Sequence, residues 1–355
     1  MAQMPEPKNT TAAKILKFWE DGAELGFREH LGASIIGRAC SRDIWYSFRW
    51  VTPSNFPGRI LRLFDRGKRE EAVFIAELQG IGVDVKETDP RTGEQWQYSA
   101  HGGHFGGSGD GVALSGIPEA PKSPHILEFK THNDKSFKLL VKDGVLKAKP
   151  EHYAQMQVYM GLSKIDRALY GAVNKNDDTQ HFERVEFDKK DFVQLMERAR
   201  MIITSDAPPA KISDDPGWYQ CSFCNHKSTC HSTVTPPPTC RSCVHATPVI
   251  DEAADAVWRC EAHDVNLTKE QQLNGCPSHV YSPKMLENWA DATDAIDQSV
   301  EFTVKATGKR FLNGPPNADG LATYSSIEVY RCQDKALLGD KFIDEMKTTF
   351  GATVC

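Results

Sequence analysis

The chain has 355 residues, 40% of them hydrophobic and 25% charged, with a formal net charge of -6 at pH 7. That composition is ordinary for globular proteins and, at about 150 residues per domain, leaves room for two or three domains. No apolar run approaches the roughly 18 residues of a membrane span, and Pro5, Glu6, Pro7 and Lys8 stand where a secretory leader needs an apolar stretch; a cytoplasmic protein is expected, without membrane partners. The acidic balance excludes a uniformly basic chain that coats polyanions and leaves only local basic grooves.

In chain order, the apolar spacing predicts a helix over about Thr11 to Leu25, with Ile15, Leu16, Phe18 and Trp19 on one face. A second helix-like stretch runs from Ser34 to Trp50 and ends at Thr52-Pro53; a third, Arg59 to Leu78, carries Glu70 and Glu71 and is stopped by Gly80 and Gly82. Strands are predicted at Val83 to Glu87 and Trp96 to Tyr98, about a turn at Asp89-Pro90-Arg91-Thr92-Gly93. The glycine-rich stretch His101 to Gly116 surrounds a single acid, Asp110, and reads as a tight turn feeding a strand at Val112 to Leu114. Another strand is predicted at His125 to Phe129, a helix at Pro150 to Leu162, strands at Ala168 to Asn174 and Phe182 to Phe187, and a helix at Lys189 to Ile203. This order predicts an α/β or α+β core. Pro236-Pro237-Pro238 reads as a stiff linker, followed by a helix over Met285 to Ile296 and strands at Val300 to Val304 and Ile327 to Tyr330.

The chemistry concentrates in Asp110 and, after seventeen intervening residues, Glu128-Phe129-Lys130. On a strand, Glu128 and Lys130 share one face while Phe129 turns into the core. If the segment bearing Asp110 pairs alongside, two carboxylates and an ammonium converge. Metal-assisted phosphodiester hydrolysis uses that set: oxygen ligands for Mg²⁺ and a cation near the attacking water or the developing charge. Alone, a Glu-x-Lys pair is usually a solvated strand face, so the neighbouring motifs decide.

Together they resemble the PD-(D/E)XK nuclease superfamily and, within it, the RecB-like exonucleases of the AddB-like, phage type. The matching residues are Gly109-Asp110-Gly111, Leu127-Glu128-Phe129-Lys130-Thr131, Gln155-Met156-Gln157-Val158-Tyr159 and, upstream, Arg66-Gly67-Lys68-Arg69-Glu70-Glu71, over about Ser34 to Cys230. Gly109 stands where the family name has proline. The resemblance implies a restriction-endonuclease-like α/β core, a central mixed sheet flanked by helices. It also implies a metal-dependent DNA nuclease, in exonuclease mode, for DNA recombination or processing. Such a protein would be encoded by a phage or prophage, act in the host cytoplasm, and work on DNA beside a recombination, annealing or helicase protein. By position, Asp110 and Glu128 would ligate Mg²⁺ or Mn²⁺, with the Phe129 carbonyl and Glu71 completing the shell. Lys130 would position or activate water, and Gln155 and Tyr159, on one helical face, would orient Lys130 and touch DNA. A noncatalytic DNA-binding scaffold on the same core is the alternative. His30 and His132 are weaker candidates, and His30, ahead of Cys40, is out of the family's usual order. From Pro121 to Pro150, seven lysines stand against Glu128, Asp134 and Asp143, and Arg59, Arg62, Arg66, Lys68 and Arg69 form a second basic run; both flank the acids and fit a phosphate-backbone groove.

Seven of the ten cysteines fall between Cys221 and Cys276. In a reducing compartment two CxxC pairs read as metal ligands rather than disulfides. Cys221, Cys224 and Cys230 supply three thiolates. The resemblance implies Cys40 as the fourth, around a [4Fe-4S] cluster that staples the core; zinc, with His226 or His231 as fourth ligand, is the rival. Cys240, Cys243, Cys260 and Cys276 read as a small structural zinc module, in which His263 and His279 are substitute ligands. Cys332 and Cys355 read as small buried apolar groups. The expected domains are a helical segment at 1–33, a nuclease core closed by a cysteine site at 34–235, the cysteine-rich module at 236–284, and a small α+β region without an assigned role at 285–355.

Overall fold

A five-stranded mixed sheet carries the acidic motifs. In the computed structural model, which describes residues 9–23, 26–316 and 321–354, the chain forms two compact units assembled from non-consecutive segments. The first takes Pro53–Tyr98, Gly107–Leu195 and the described part of Met1–Phe27; the second takes Arg28–Thr52, Ser99–Gly106 and the described part of Met196–Cys355. Cys355, like Leu25 of the first predicted helix, lies outside the described residues.

In the first unit, helices α1 (Thr10–Asp21) and α2 (Gly58–Gly80) precede strands β1 (Asp84–Lys86), β2 (Gly111–Ser115) and β3 (His125–His132). Helices α3 (Asp134–Ala148) and α4 (Pro150–Ser163) then lead to β4 (Arg167–Asn174) and β5 (Gln180–Glu186). The sheet order is β1-β2-β3-β4-β5. Only β3 and β4 run parallel, and α3 and α4 form the crossover that a parallel pair requires. Helices α2, α3 and α4 pack on the sheet, giving a mixed α/β architecture.

Apolar packing sets the height of α2 over the sheet. Phe74, Ile75 and Leu78 enter one buried cluster with Val85, Leu127 and Phe129, and the Phe74 and Phe129 rings stack at 4.7 Å. Each such side chain contributes about 1.5–3 kcal/mol through burial. Glu71 lies one turn before Phe74, so the same contact holds it above β3. At the start of α2 the Gly58 N–H donates to Glu20 Oε1 at 2.7 Å, and a side chain at residue 58 would collide with the Leu16 carbonyl.

Helix α3 has no counterpart in the predicted elements. Its lysine-rich sequence masks the apolar stripe of Phe137, Leu140 and Val145, and Gly144, at φ 72°, interrupts it. The side chain of Asn133 caps it, accepting from Ser136 N at 2.9 Å. Helix α4 starts with Pro150 at its first turn and is buried from Ala154 to Met160.

In the second unit, the predicted 34–50 helix is two: Ala33–Ile36 and Ser41–Phe48, separated at Gly37. One antiparallel sheet joins Ala246–Pro248, Trp258–Cys260 and Val265–Leu267. A second, mixed sheet joins Ala290–Ile296, Ser299–Val304, Arg310–Asn313 and Thr323–Tyr324, the last two in parallel. Two predictions fail here. Met285 to Ile296 is not a helix: a single turn at Pro283–Leu286 gives way to a strand whose ladder with Ser299–Val304 overrides the helix propensity of its alanines. Ile327 to Tyr330 is not a strand but part of a helix, Ser326–Arg331; Ser325 and Glu328 form a capping box, a signature present in the sequence and outweighed by the β-branched residues. Among the described residues no helix is long and apolar enough to cross a membrane.

Candidate active site

Asp110 occupies a bend just ahead of β2. Two glycines allow that bend: Gly111 has φ 154°, and a Cβ on Gly109 would come within 2.9 Å of the Tyr98 ring. Pairing of Gly111 with Leu127 places Asp110 beside the middle of β3, and its Oδ2 accepts the Phe129 N–H at 2.7 Å. The expected convergence is present: Asp110 lies against Glu128-Phe129-Lys130, and Phe129 is in the core.

Glu128 is 0% exposed. Its Oε2 accepts from Gln155 Nε2 at 3.0 Å; its Oε1 is paired with the Lys130 ammonium. Lys130 Nζ also donates to the Phe129 carbonyl at 3.1 Å. Gln155 Nε2 donates at 3.3 Å to Tyr159 OH, which donates to the Ser108 carbonyl at 3.0 Å. The Tyr159 ring stacks on Tyr98 at 4.5 Å. Gln155 thus bears on Glu128 rather than on Lys130, and Tyr159 braces the strand leading into Asp110.

Burial pushes the Glu128 carboxyl upward against the pull of Lys130, and Asp110 adds to the rise. For Lys130, burial acts downward, yet Glu128, Asp110 and Glu71 outweigh it and the side chain keeps its proton. Glu71, half-buried on α2, is raised to about 6, by burial first and then by the charge of Asp110. It opens with Lys130, Lys68, Lys175 and Thr131 onto a cavity of about 350 Å³. Of the basic runs, Lys68 and Lys130 therefore reach this cavity, joined by Lys175 from outside them. Arg69 and Lys138 are instead engaged in exposed pairs with Asp65 and Asp134.

Beside this site lies a hydrogen-bonded cluster that sequence reasoning missed. His132 Nδ1 meets Ser136 Oγ at 3.0 Å and its Nε2 meets Tyr170 OH at 2.9 Å. His152 Nδ1 meets Tyr170 OH at 2.7 Å, and Lys149 Nζ donates to Ser136 Oγ at 2.5 Å. One signal was available: His152 precedes Gln155 by three residues and Tyr159 by seven, the spacing of one helical face.

Both cysteine sets lie in the second unit. Cys40 lies within electrostatic reach of Cys221, Cys224 and Cys230, each of which is raised chiefly by burial, Cys224 to about 12. Cys240, Cys243, Cys260 and Cys276 line one small cavity with His263, whose Nε2 is 3.7 Å from Cys276 Sγ. His279 has both ring nitrogens engaged, Nδ1 with Ser326 Oγ at 2.7 Å and Nε2 with the Thr239 carbonyl at 2.9 Å. His226 Nε2 lies 3.0 Å from Ser47 Oγ. Among the described residues no three His, Cys, Asp or Glu side chains are gathered tightly enough to hold a metal ion.

No family model matches the sequence, and no curated protein matches it. Solved structures do. SSO0001 aligns at TM-score 0.38 and 13% identity, over 64% of this chain and 100% of that one. LHK-Exo in complex with dAMP aligns at TM-score 0.37 and 17% identity, over 52% of this chain and 90% of that one. The alkaline exonuclease LHK-Exo from Laribacter hongkongensis aligns at TM-score 0.35 and 18% identity, over the same 52% and 90%. At these TM-scores none of the three assigns a family or an activity to this chain.

Proposed function

We propose that the chain is a metal-dependent deoxyribonuclease that degrades DNA from an end. The observation that carries this is the convergence of Asp110, Glu128 and Lys130 about β3, with Lys130 and Glu71 lining one cavity. The donor set suits Mg²⁺ or Mn²⁺: Asp110, Glu128, Glu71 and the Phe129 carbonyl offer only oxygen, and the buried Glu128 Oε1 has the Lys130 ammonium as its partner. A cage of three protein side chains is not required, because Mg²⁺ keeps several waters and takes one or two carboxylates. Bound there, the ion would polarise the phosphoryl group and lower the pKa of water. The chain's own residues do the orienting. The Phe129 N–H fixes Asp110, Gln155 fixes Glu128, and Lys130 brings positive charge to a phosphate seated in the cavity. Lys68 and Lys175 extend that charge along a phosphodiester backbone.

End-directed attack, and a role in recombination or DNA processing for a phage or prophage beside an annealing or helicase partner, are supported by the motif resemblance. The cysteines serve structure in this reading: Cys40, Cys221, Cys224 and Cys230 hold a [4Fe-4S] cluster, and Cys240, Cys243, Cys260 and Cys276 hold zinc. Support comes from the placement of Cys40 within electrostatic reach of Cys221, Cys224 and Cys230 and the shared cavity of the second four. Anaerobically purified protein is expected to contain both iron and zinc, and protein lacking both overturns the staples.

The test of the activity is Mg²⁺-dependent degradation of end-labelled linear DNA against closed circular DNA, with Lys130→Ala and Asp110→Asn in parallel. Wild type alone should consume linear DNA and spare circles. Cleavage retained by either variant overturns this assignment of the site, and salt-sensitive DNA binding with no cleavage by wild type overturns the nuclease in favour of a scaffold.

A further inference from the structure

Resting on the nuclease reading, we propose that His152 is a further substrate ligand: a neutral Nε2–H donor to a DNA phosphate oxygen, its tautomer set by a directed hydrogen-bond chain that starts at Lys149.

Proton counting along the cluster gives the direction. An ammonium only donates, so Ser136 Oγ accepts from Lys149. Among the described residues the Ser136 hydroxyl has one remaining partner, His132 Nδ1, and so donates to it. A neutral His132 with an accepting Nδ1 carries its proton on Nε2, which donates to the Tyr170 oxygen. Tyr170 then directs its single O–H to His152 Nδ1. That leaves the His152 proton on Nε2, the ring nitrogen that makes no hydrogen bond to the described residues. Both rings are held neutral: burial first, then the surrounding lysines, push His132 down to about 4 and His152 to about 3. Lys130 is among the charges acting on His152, which places the ring near the proposed site. His152 is half-buried on the α4 face that carries Gln155 and Tyr159, and Tyr170 pairs in register with Glu128. A fixed, uncharged N–H beside a cationic lysine suits a phosphoryl oxygen and repels a metal ion's donor-seeking face.

Two measurements test it. Imidazole nitrogen–proton correlation spectra of the full chain are expected to show His152 as the Nε2–H tautomer. Lys149→Met, or Ser136→Ala where the first variant folds poorly, should yield mixed tautomers. A 5′-phosphorylated thymidine dinucleotide, added in chelator, should shift the His152 Nε2–H signal. In cleavage assays His152→Ala should raise KM for DNA about tenfold, the loss of one hydrogen bond to a charged group, and His152→Gln, which keeps an N–H, should recover most of it. An Nδ1–H tautomer, or cleavage by wild type with a dinucleotide-insensitive His152, overturns the donor and leaves the nuclease. Absence of wild-type cleavage with the tautomer and dinucleotide shift intact overturns the nuclease and leaves the phosphate ligand.

Discussion

Lys130 in the first unit and Arg241 in the second are both cations drawn out of water, and they are satisfied in opposite ways. Arg241 is 1% exposed and donates from all three guanidinium nitrogens: Nε to Gln272 at 2.9 Å, and the two terminal nitrogens to the carbonyls of Phe48 at 3.0 Å and Glu29 at 2.8 Å. Its flat face lies 3.7 Å from the Trp50 ring centroid and 4.7 Å from that of Trp258. That cation is closed off from solvent. Lys130 instead opposes carboxylates, pairing with the buried Glu128, and opens onto a cavity. A cation enclosed by carbonyls and aromatic faces holds a fold together; one balanced against acids at an opening is poised to meet a ligand.

Substitution should separate these roles. Lys130→Ala is expected to lower kcat by about 10²–10³-fold or more with little change in melting temperature, because Glu128 can relieve its lost partner by taking up a proton. A large fall in melting temperature would make Lys130 a structural cation like Arg241. Arg241→Ala should cost about 3 kcal/mol or more, three hydrogen bonds at about 1 kcal/mol each plus the aromatic contacts, seen as an earlier denaturant midpoint. Arg241→Lys should not rescue it, since an ammonium cannot span three acceptors in one plane.

The same contrast explains how much was legible in the sequence. Asp110, Glu128 and Lys130 are close in sequence and tied to one strand period, so their meeting on β3 follows from alternation once β2 pairs beside it. Glu71 was reached through its helix. Arg241 sits between two cysteines in a run read only for metal ligands, and its partners, Glu29, Phe48 and Gln272, are remote in sequence. The His132, Tyr170 and His152 cluster was hidden for the same reason: strand β4 supplies Tyr170, and no local period announces a cross-strand neighbour. Helix α3 was lost because lysines diluted its apolar stripe, and the strand at Ala290–Ile296 because alanine favours helix until a ladder forms.

Charge balance also has a pH signature. Glu71 rises from its ordinary 4.5 to about 6. A raised carboxyl binds its proton more tightly when folded, so it favours the fold below pH 4.5 and that contribution is lost as pH rises through about 6. Ligand capacity runs the other way. Mg²⁺ affinity and cleavage should climb between about pH 5 and 7 as Glu71 ionises, and Glu71→Gln should remove that component of the climb. A profile unchanged in Glu71→Gln would detach α2 from the site.

The smallest effect belongs to Tyr159. Its hydroxyl receives from Gln155 and donates to the Ser108 carbonyl, two residues before Asp110. Tyr159→Phe keeps the ring on Tyr98 and removes those links, at about 1 kcal/mol. If Tyr159 acts by bracing the approach to Asp110, activity should fall severalfold and the metal concentration needed for half-maximal cleavage should rise with it, while DNA affinity in chelator stays constant. A direct DNA contact predicts the reverse, weaker binding in chelator with an unchanged metal requirement. The variant therefore decides whether this face of α4 divides its work, with Gln155 and Tyr159 holding carboxylates in place and His152, one turn earlier, meeting the phosphate.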